Sequence, residues 1–379
     1  MRARRPPKTG RARCVRILML EWRRTLSNLE RAAHWFLQSG IQHPGGGVAR
    51  YYNGDLNRNL AVSTEITGYT ASALVYLHTL TGDKRFLSQA IRAARFLTHS
   101  AWQGEWQAMP FELDPPRFAY FFDCGIIVRG WLAVWRAGGD PEFLEAAVTL
   151  GRAMARDFAD RGGDWHPVVK LPGKNPAARE PLRWSRSPGC YQLKAAMAWR
   201  DLDQATGGGE FDGPFRRSLE AALATHDAFL PGHSEPAKVV DRLHAYLYFL
   251  EGLLPAADDP RCAAAIAAGI ERVANHAAAG AGHLERADVY AQLLRMRLYA
   301  AAGGVAPLDG DAAEREAGLL RSFHVVSPDA RIDGGYYFGR QGGRWSPHVS
   351  PVSTAFTLQA LAMWDARQSG LVPDRYLLI

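Results

Sequence analysis

Along the chain, apolar residues return every three or four positions in a dozen stretches, and these stretches alternate between two kinds. One kind follows a short turn and carries charge on one face: 26–39, 84–99, 141–158, 212–229, 260–277 and 311–323. The other is rich in Gly, Ala and aromatic residues and poor in Lys: 64–80, 123–137, 190–206, 241–256, 285–301 and 353–367. The first pattern predicts helices with one wet face, and the second predicts helices buried on nearly every side. Six of each in strict alternation is the count that closes a ring of helical hairpins. The expected fold is an all-α (α/α)6 toroid of six inner and six outer helices.

The two ends of such a ring are not alike. Inner-to-outer turns are short, as in Thr81-Gly82-Asp83 and Gly138-Gly139-Asp140, where Gly stops one helix and Asp caps the next. Outer-to-inner connections, at 40–63, 100–122, 159–189, 230–240, 278–284 and 324–352, carry most of the Trp, Tyr, His, Arg and acidic residues found between helices. These lead to the N-terminal ends of the inner helices, and the working site is expected on that face.

Composition narrows the classes. With 379 residues, 47% hydrophobic and 22% charged, the chain reads as an ordinary globule with a large core. One toroid domain is expected over 23–370, between a basic leader at 1–22 and a short tail at 371–379. The apolar run at 15–20 is too short and too charged for a signal peptide or a membrane span, so the expected location is cytoplasmic. Cys14, Cys124, Cys190 and Cys262 lie far apart without metal-ligand spacing and read as free thiols. The net charge of +7 is concentrated in the leader and has no interleaved aromatic motif, so nucleic acid is not an expected partner. Gly45-Gly46-Gly47 and Gly334-Gly335 lack a phosphate-loop or dinucleotide context, and no cofactor or metal is expected.

In a toroid the inner helices turn one face to the central funnel, where polar residues should recur at helical spacing. Three stretches do this: Glu65, Tyr69, Ser72 and Tyr76; Asp241, His244, Tyr248 and Glu251; and Asp288, Gln292, Arg295 and Tyr299. Glu65, Asp123, Asp241 and Asp288 stand at or near the start of four inner stretches. Acids there cap helices and answer the helix dipole. Gathered at one mouth beside aromatic walls, they also offer desolvated carboxyls for general acid–base work. Glu65, Asp123 and Asp241, together with His244, are the candidate catalytic groups. Two carboxylates that bracket a glycosidic bond are the minimum for its hydrolysis.

The long connections add chemistry suited to a sugar. The flat faces of Trp106, Trp184, Tyr191, Tyr336 and Trp345 suit the C–H faces of pyranose rings. Arg186, with Arg183, Arg340 and Arg344, offers the planar fork that holds a substrate carboxylate. His166, His233, His244 and His348 also fall near the mouth. Any one suits a structural role, while two together would move a proton at a sugar carbon.

Three segments carry a family likeness. Glu65-Ile66-Thr67-Gly68-Tyr69, followed by Thr81-Gly82-Asp83, is the first; Phe122-Asp123-Cys124-Gly125 with Gly139-Asp140 and Asp164-Trp165-His166 is the second. The third is Trp184-Ser185-Arg186-Ser187-Pro188-Gly189-Cys190-Tyr191. In this order they resemble the six-hairpin glycosidases, and among them the unsaturated glucuronyl hydrolases. The resemblance implies that Glu65 takes the place of the first acid, that Asp123 is the general acid and base, and that the third segment helps bind a uronate. Glu65 stands where that family has Asp, and the third segment lacks the family's Gln-Ala-Trp. The segment from Arg286 to Arg295 and the run His244-Ala245-Tyr246 resemble toroid proteins that accompany polysaccharide biosynthesis. The expected function is thus a carbohydrate-active enzyme on a saccharide, uronate-containing by this likeness, working by carboxylate acid–base chemistry as a glycoside hydrolase does. A sugar epimerase or polysaccharide lyase acting through His244 and Tyr248, and a non-catalytic saccharide-binding protein, are the alternatives.

Overall fold

The computed structural model describes residues 26–160, 162, 164–369 and 372–379. The basic leader at 1–22 lies outside the described residues. Twelve α-helices follow in order: α1 (Leu26–Gln38), α2 (Thr64–Thr81), α3 (Lys84–Arg95), α4 (Phe121–Gly138), α5 (Pro141–Asp157) and α6 (Gln192–Thr206). The second half adds α7 (Asp212–Thr225), α8 (Pro236–Leu253), α9 (Pro260–Gly280), α10 (Ala287–Ala302), α11 (Gly310–Ser322) and α12 (Pro351–Asp365). Odd-numbered helices form the outer layer and even-numbered ones the inner layer of a closed (α/α)6 ring.

The two patterns place the two layers. In α3 the apolar face of Phe86, Ala90, Ala93 and Ala94 is buried while Lys84, Arg85 and Arg95 are exposed. Burial of Phe86 alone contributes about 2 kcal/mol. By contrast, every residue of α12 from Pro351 to Trp364 is buried. Turn chemistry matches the reading of the sequence. Gly82 and Gly139 end α2 and α4 in left-handed conformation at φ 74° and 77°, and Asp83 and Asp140 accept from the first-turn amides of Arg85 and Glu142.

Small residues let the inner helices close up. A Cβ on Gly130 would stand 2.7 Å from the carbonyl oxygen of Gly68, and one on Gly125 only 2.4 Å from that of Ala195. These approaches hold α4 against α2 on one side and α6 on the other. Each inner helix touches the next, and α12 returns to α2 to close the ring.

The long connections carry short strands on one end of the ring. A three-stranded sheet there joins the first connection to the last: Tyr52–Asn53 pairs with both Arg58–Asn59 and His348–Val349, with His348 opposite Asn53. This pairing stitches the seam and brings His348 beside the first connection. In the tail, Leu378 and Ile379 are buried inside the ring, where the Ile379 carbonyl accepts from Lys194 Nζ at 3.1 Å and Arg295 Nη1 at 3.3 Å. None of the described helices is long and apolar enough to cross a membrane.

Candidate active site

A cavity of about 230 Å³ opens at the mouth among the N-terminal portions of α2, α8, α10 and α12. Glu65 of α2, His244 and Tyr248 of α8, and Asp288 of α10 line it, with Arg50, Tyr51, Arg286, Phe338 and His348 from the connections. A larger recess of about 360 Å³ lies outside the ring between α9 and α11, where Arg297 is already paired with Glu316.

Two opposite electrostatic environments meet in this cavity. On one wall Glu65 sits in the first turn of α2, and burial pushes its carboxyl up to about 7 against the opposing pull of Arg50. Beside it Asp123, in the first turn of α4 and 5% exposed, is pushed well above the carboxylate range by burial and then by the charge of Glu65. Asp123 Oδ2 has no hydrogen-bond partner. Near neutrality the two acids together hold a proton that free carboxyls would have lost.

The opposite wall is built around Arg286. Its Nη1 donates to Asp241 at 2.6 Å, its Nε and Nη2 donate to the two oxygens of Asp288 at 3.0 and 2.6 Å, and its guanidinium covers Phe338. Burial works to raise Asp288, but Arg286 and His244 outweigh it and hold the carboxyl below its usual range. His244 bonds Gln292 Oε1 through Nδ1 at 2.6 Å, and its ring lies 4.4 Å from that of Tyr248. Burial lowers the His244 imidazole more than Asp288 raises it, so it is neutral near pH 7. His348, against Tyr51 at 4.5 Å, is also lowered by burial.

The raised carboxyl of Glu65 carries a stability consequence. Between 4.5 and about 7 the folded chain keeps a proton here that the unfolded chain releases, so rising pH costs the native state stability across that window. Glu65→Gln removes this loss. The variant is expected to melt with the wild type near pH 5 and above it at pH 8, read by thermal denaturation at the two pH values.

The structure sorts the sequence candidates. Glu65, His244, Tyr248, Asp288 and His348 share the cavity; Asp123 and Tyr69 do not line it but are close enough to feel the charge of Glu65. Asp241 falls in the second turn of α8, since that helix starts at Pro236; Arg286 and the Trp184 indole, at 2.7 Å, occupy its carboxylate. Gln292 and Arg295 face inward but are sealed beneath the cavity. Tyr336 is fully buried at the seam and does not line the cavity, with its backbone N–H on Thr354 and its ring against His324. Tyr191 is likewise buried, its hydroxyl on the Ser187 carbonyl.

Asp164 and His166 lie by α7 instead of the cavity: Arg217 holds the Asp164 carbonyl, and His166 points to Asp160. Trp106 sits in a turn between Gln103 and Ala108, and Trp345, 40% exposed, stacks on Tyr337 in a rim hairpin. Three of the four arginines expected to hold a carboxylate have carboxylates of their own: Arg183 and Arg186 pair with Glu180, and Arg340 pairs with Glu285. Arg344 is exposed on the rim hairpin. Arg50 and Arg286 are charged cavity residues outside the candidates of the sequence pattern. Arg286 stands immediately ahead of α10, while Arg50 lies in the first connection, well ahead of α2. No group of three or more His, Cys, Asp or Glu that could hold a metal occurs among the described residues.

With this geometry in view, comparison with solved structures is informative. A cellobiose 2-epimerase from Bacillus thermoamylovorans B4167 superposes with a TM-score of 0.67 at 12% identity, covering 93% of this chain and 99% of that one. A D-mannose isomerase gives 0.61 at 8% identity over 97% and 100%. A glycosyl hydrolase of family 88 from Bacteroides vulgatus gives 0.57 at 13% identity over 90% and 99%. The fold is the (α/α)6 toroid that these proteins share. No family model matches the sequence, and no curated protein matches it either. At these identities the likeness speaks for the toroid's architecture and leaves its chemistry to the residues at the mouth.

Proposed function

We propose that the toroid is an enzyme acting on a neutral saccharide by moving a proton at the carbon next to an open-chain carbonyl, as a sugar epimerase or isomerase does. The observation that carries this reading is the placing of two imidazoles, His244 and His348, on one cavity whose other wall holds a protonated carboxyl. Groups whose environments push their pKa values apart mark acid and base roles. His244, neutral and anchored through Nδ1, takes the proton from C2 of the open-chain sugar. His348, in its protonated form, returns one to the opposite face of C2; for an isomerase the proton goes to C1 instead, and the O2 hydroxyl proton passes to O1 as C2 becomes the carbonyl. Glu65 and Arg50 stabilise the negative charge that grows on the carbonyl oxygen between the two transfers. Pairing of the rim arginines with the protein's own carboxylates favours a neutral sugar over a uronate.

Both imidazoles are held below their usual pKa, so the singly protonated pair is most populated on the acid side of neutrality. Activity is expected to fall as pH rises above 7, where Glu65 also ionises. The cellobiose 2-epimerase and the D-mannose isomerase that share this fold supply the first sugars to try. Incubation with cellobiose, glucose and mannose, followed by chromatography, is expected to give an epimer or a ketose. Release of monosaccharide from cellobiose without either product would sink this reading.

A second reading has its own support. Glu65 and Asp123, adjacent, buried and sharing a proton, are equipment for glycoside cleavage. It predicts hydrolysis that Asp123→Asn abolishes and His348→Asn spares.

A further inference from the structure

Beneath the cavity lies a sealed polar cluster that the proposed reaction does not touch. Glu251 of α8, fully buried, accepts from Lys194 Nζ at 2.9 Å and Gln292 Nε2 at 3.4 Å through one oxygen, and from Arg295 Nη2 at 2.6 Å through the other. Gln292 of α10, also fully buried, bridges this cluster to His244. We propose that Gln292 and Glu251 are positioning residues that hold His244 as its Nδ1–H tautomer and leave Nε2 bare toward the cavity. This rests on the reading of His244 as the base.

The reasoning is one of donors and acceptors. Arginine stays charged at any working pH, so Glu251 always faces at least one cation. Burial works against its charge, but Lys194 and Arg295 outweigh it and hold the carboxyl below the usual range. An ionised carboxylate only accepts, so the Gln292 amide must turn its NH2 group toward Glu251. Its carbonyl then points the other way and meets His244 Nδ1 at 2.6 Å. A carbonyl also only accepts, so Nδ1 must carry the hydrogen, and a neutral imidazole has one to give. Nε2 is left with its lone pair, which is the form a base needs.

The charges around the ring are mixed, Asp288 and Asp241 negative and Arg286 positive, and none of them competes with Gln292 for Nδ1. Asp288 Oδ2 lies 3.6 Å from the same Nδ1, too far for a hydrogen bond, and is occupied by Arg286. Asp241 and Tyr248 face the ring from α8 itself, and Phe356 packs on it from α12. None of these offers Nδ1 an acceptor within 3 Å. The charged floor of the funnel therefore acts on the cavity through a single amide, and its orientation sets which nitrogen is free.

Nitrogen-15 NMR of the full chain with labelled histidine tests this, His244 being assigned by the loss of its signal in His244→Gln. Wild type is expected to show Nδ1 protonated and Nε2 bare at neutral pH. Gln292→Leu leaves every ion pair in place but removes the acceptor, so a mixture with the Nε2–H form is expected, with kcat down about 10–100-fold and KM little changed. Glu251→Gln, which frees the Gln292 amide to turn over, is expected to give the same mixture. A wild-type His244 protonated at Nε2 overturns the proposal, and so does a Gln292→Leu variant that keeps the wild-type tautomer. Should Glu251→Gln fail to fold, Gln292→Leu still decides. Failure to turn over any sugar removes His244 as the base but leaves the tautomer measurement to stand or fall alone.

Discussion

His244→Gln is expected to lower kcat/KM by about 10²–10⁴-fold on whichever sugar the wild type turns over, the range that a positioned acid–base group contributes. Glutamine keeps a polar side chain of similar length beside Gln292 and Tyr248, so the site keeps its shape while losing a group able to take a proton. The melting temperature is expected to stay near that of the wild type, because the Arg286 ion pairs with Asp241 and Asp288 do not depend on the imidazole. His348→Asn is expected to lose turnover on a similar scale, since a two-imidazole mechanism needs both partners. Steady-state kinetics and circular dichroism on the two variants check this. Near-wild-type turnover in either contradicts the assignment.

Gly125→Val is expected to destabilise the fold by at least about 3 kcal/mol, the upper part of the range for overpacking a tight interior. The added atoms meet the carbonyl and Cα of Ala195 at 2.4 and 2.5 Å, and backbone cannot step aside as the end of a flexible side chain can. To make room, α4 must move off α6, and a shift in one inner helix of a closed ring is passed to its neighbours. Asp123 is two residues away on α4, so the pairing of Asp123 with Glu65 is expected to loosen too. Urea unfolding measures the first effect as a lower midpoint. Gly213→Ala, at a glycine with nothing within 4 Å of its would-be Cβ, serves as the control that should change little.

Much of the ring was legible in the sequence because a toroid repeats one local rule twelve times. Amphipathic stretches became outer helices and small, apolar ones became inner helices; Gly82-Asp83 and Gly139-Asp140 stopped and started them as turn chemistry requires. α8 starts at Pro236, five residues ahead of the stretch that the pattern marks, because proline reads as loop although it is at home in a first helical turn. That shift moved Asp241 off the helix start and into the grip of Arg286 and Trp184.

The site was legible only in part. Glu65 and Asp288 were marked by a helix start followed by a polar stripe, and the cavity uses both. Depth was not marked: Gln292 and Arg295 follow the same spacing as Asp288, yet one turn down, at Gln292, the funnel has already become sealed core. Loop aromatics were harder still, since Tyr336 as anchor and Trp345 on the rim have the same composition around them. His348 and Arg50 reach the cavity through strand pairing between the first and last connections, a contact across nearly 300 residues that no local period encodes.

The most direct measurement is turnover in deuterium oxide, with cellobiose, glucose and mannose each incubated with wild-type protein and the products read by proton NMR. Proton transfer through His244 and His348 predicts deuterium at C2 of an epimer, or at C1 of a ketose, and none with His244→Gln. An epimer that keeps its C2 proton, a ketose with no deuterium at C1, or cellobiose cleaved with no exchange at C2, would contradict it.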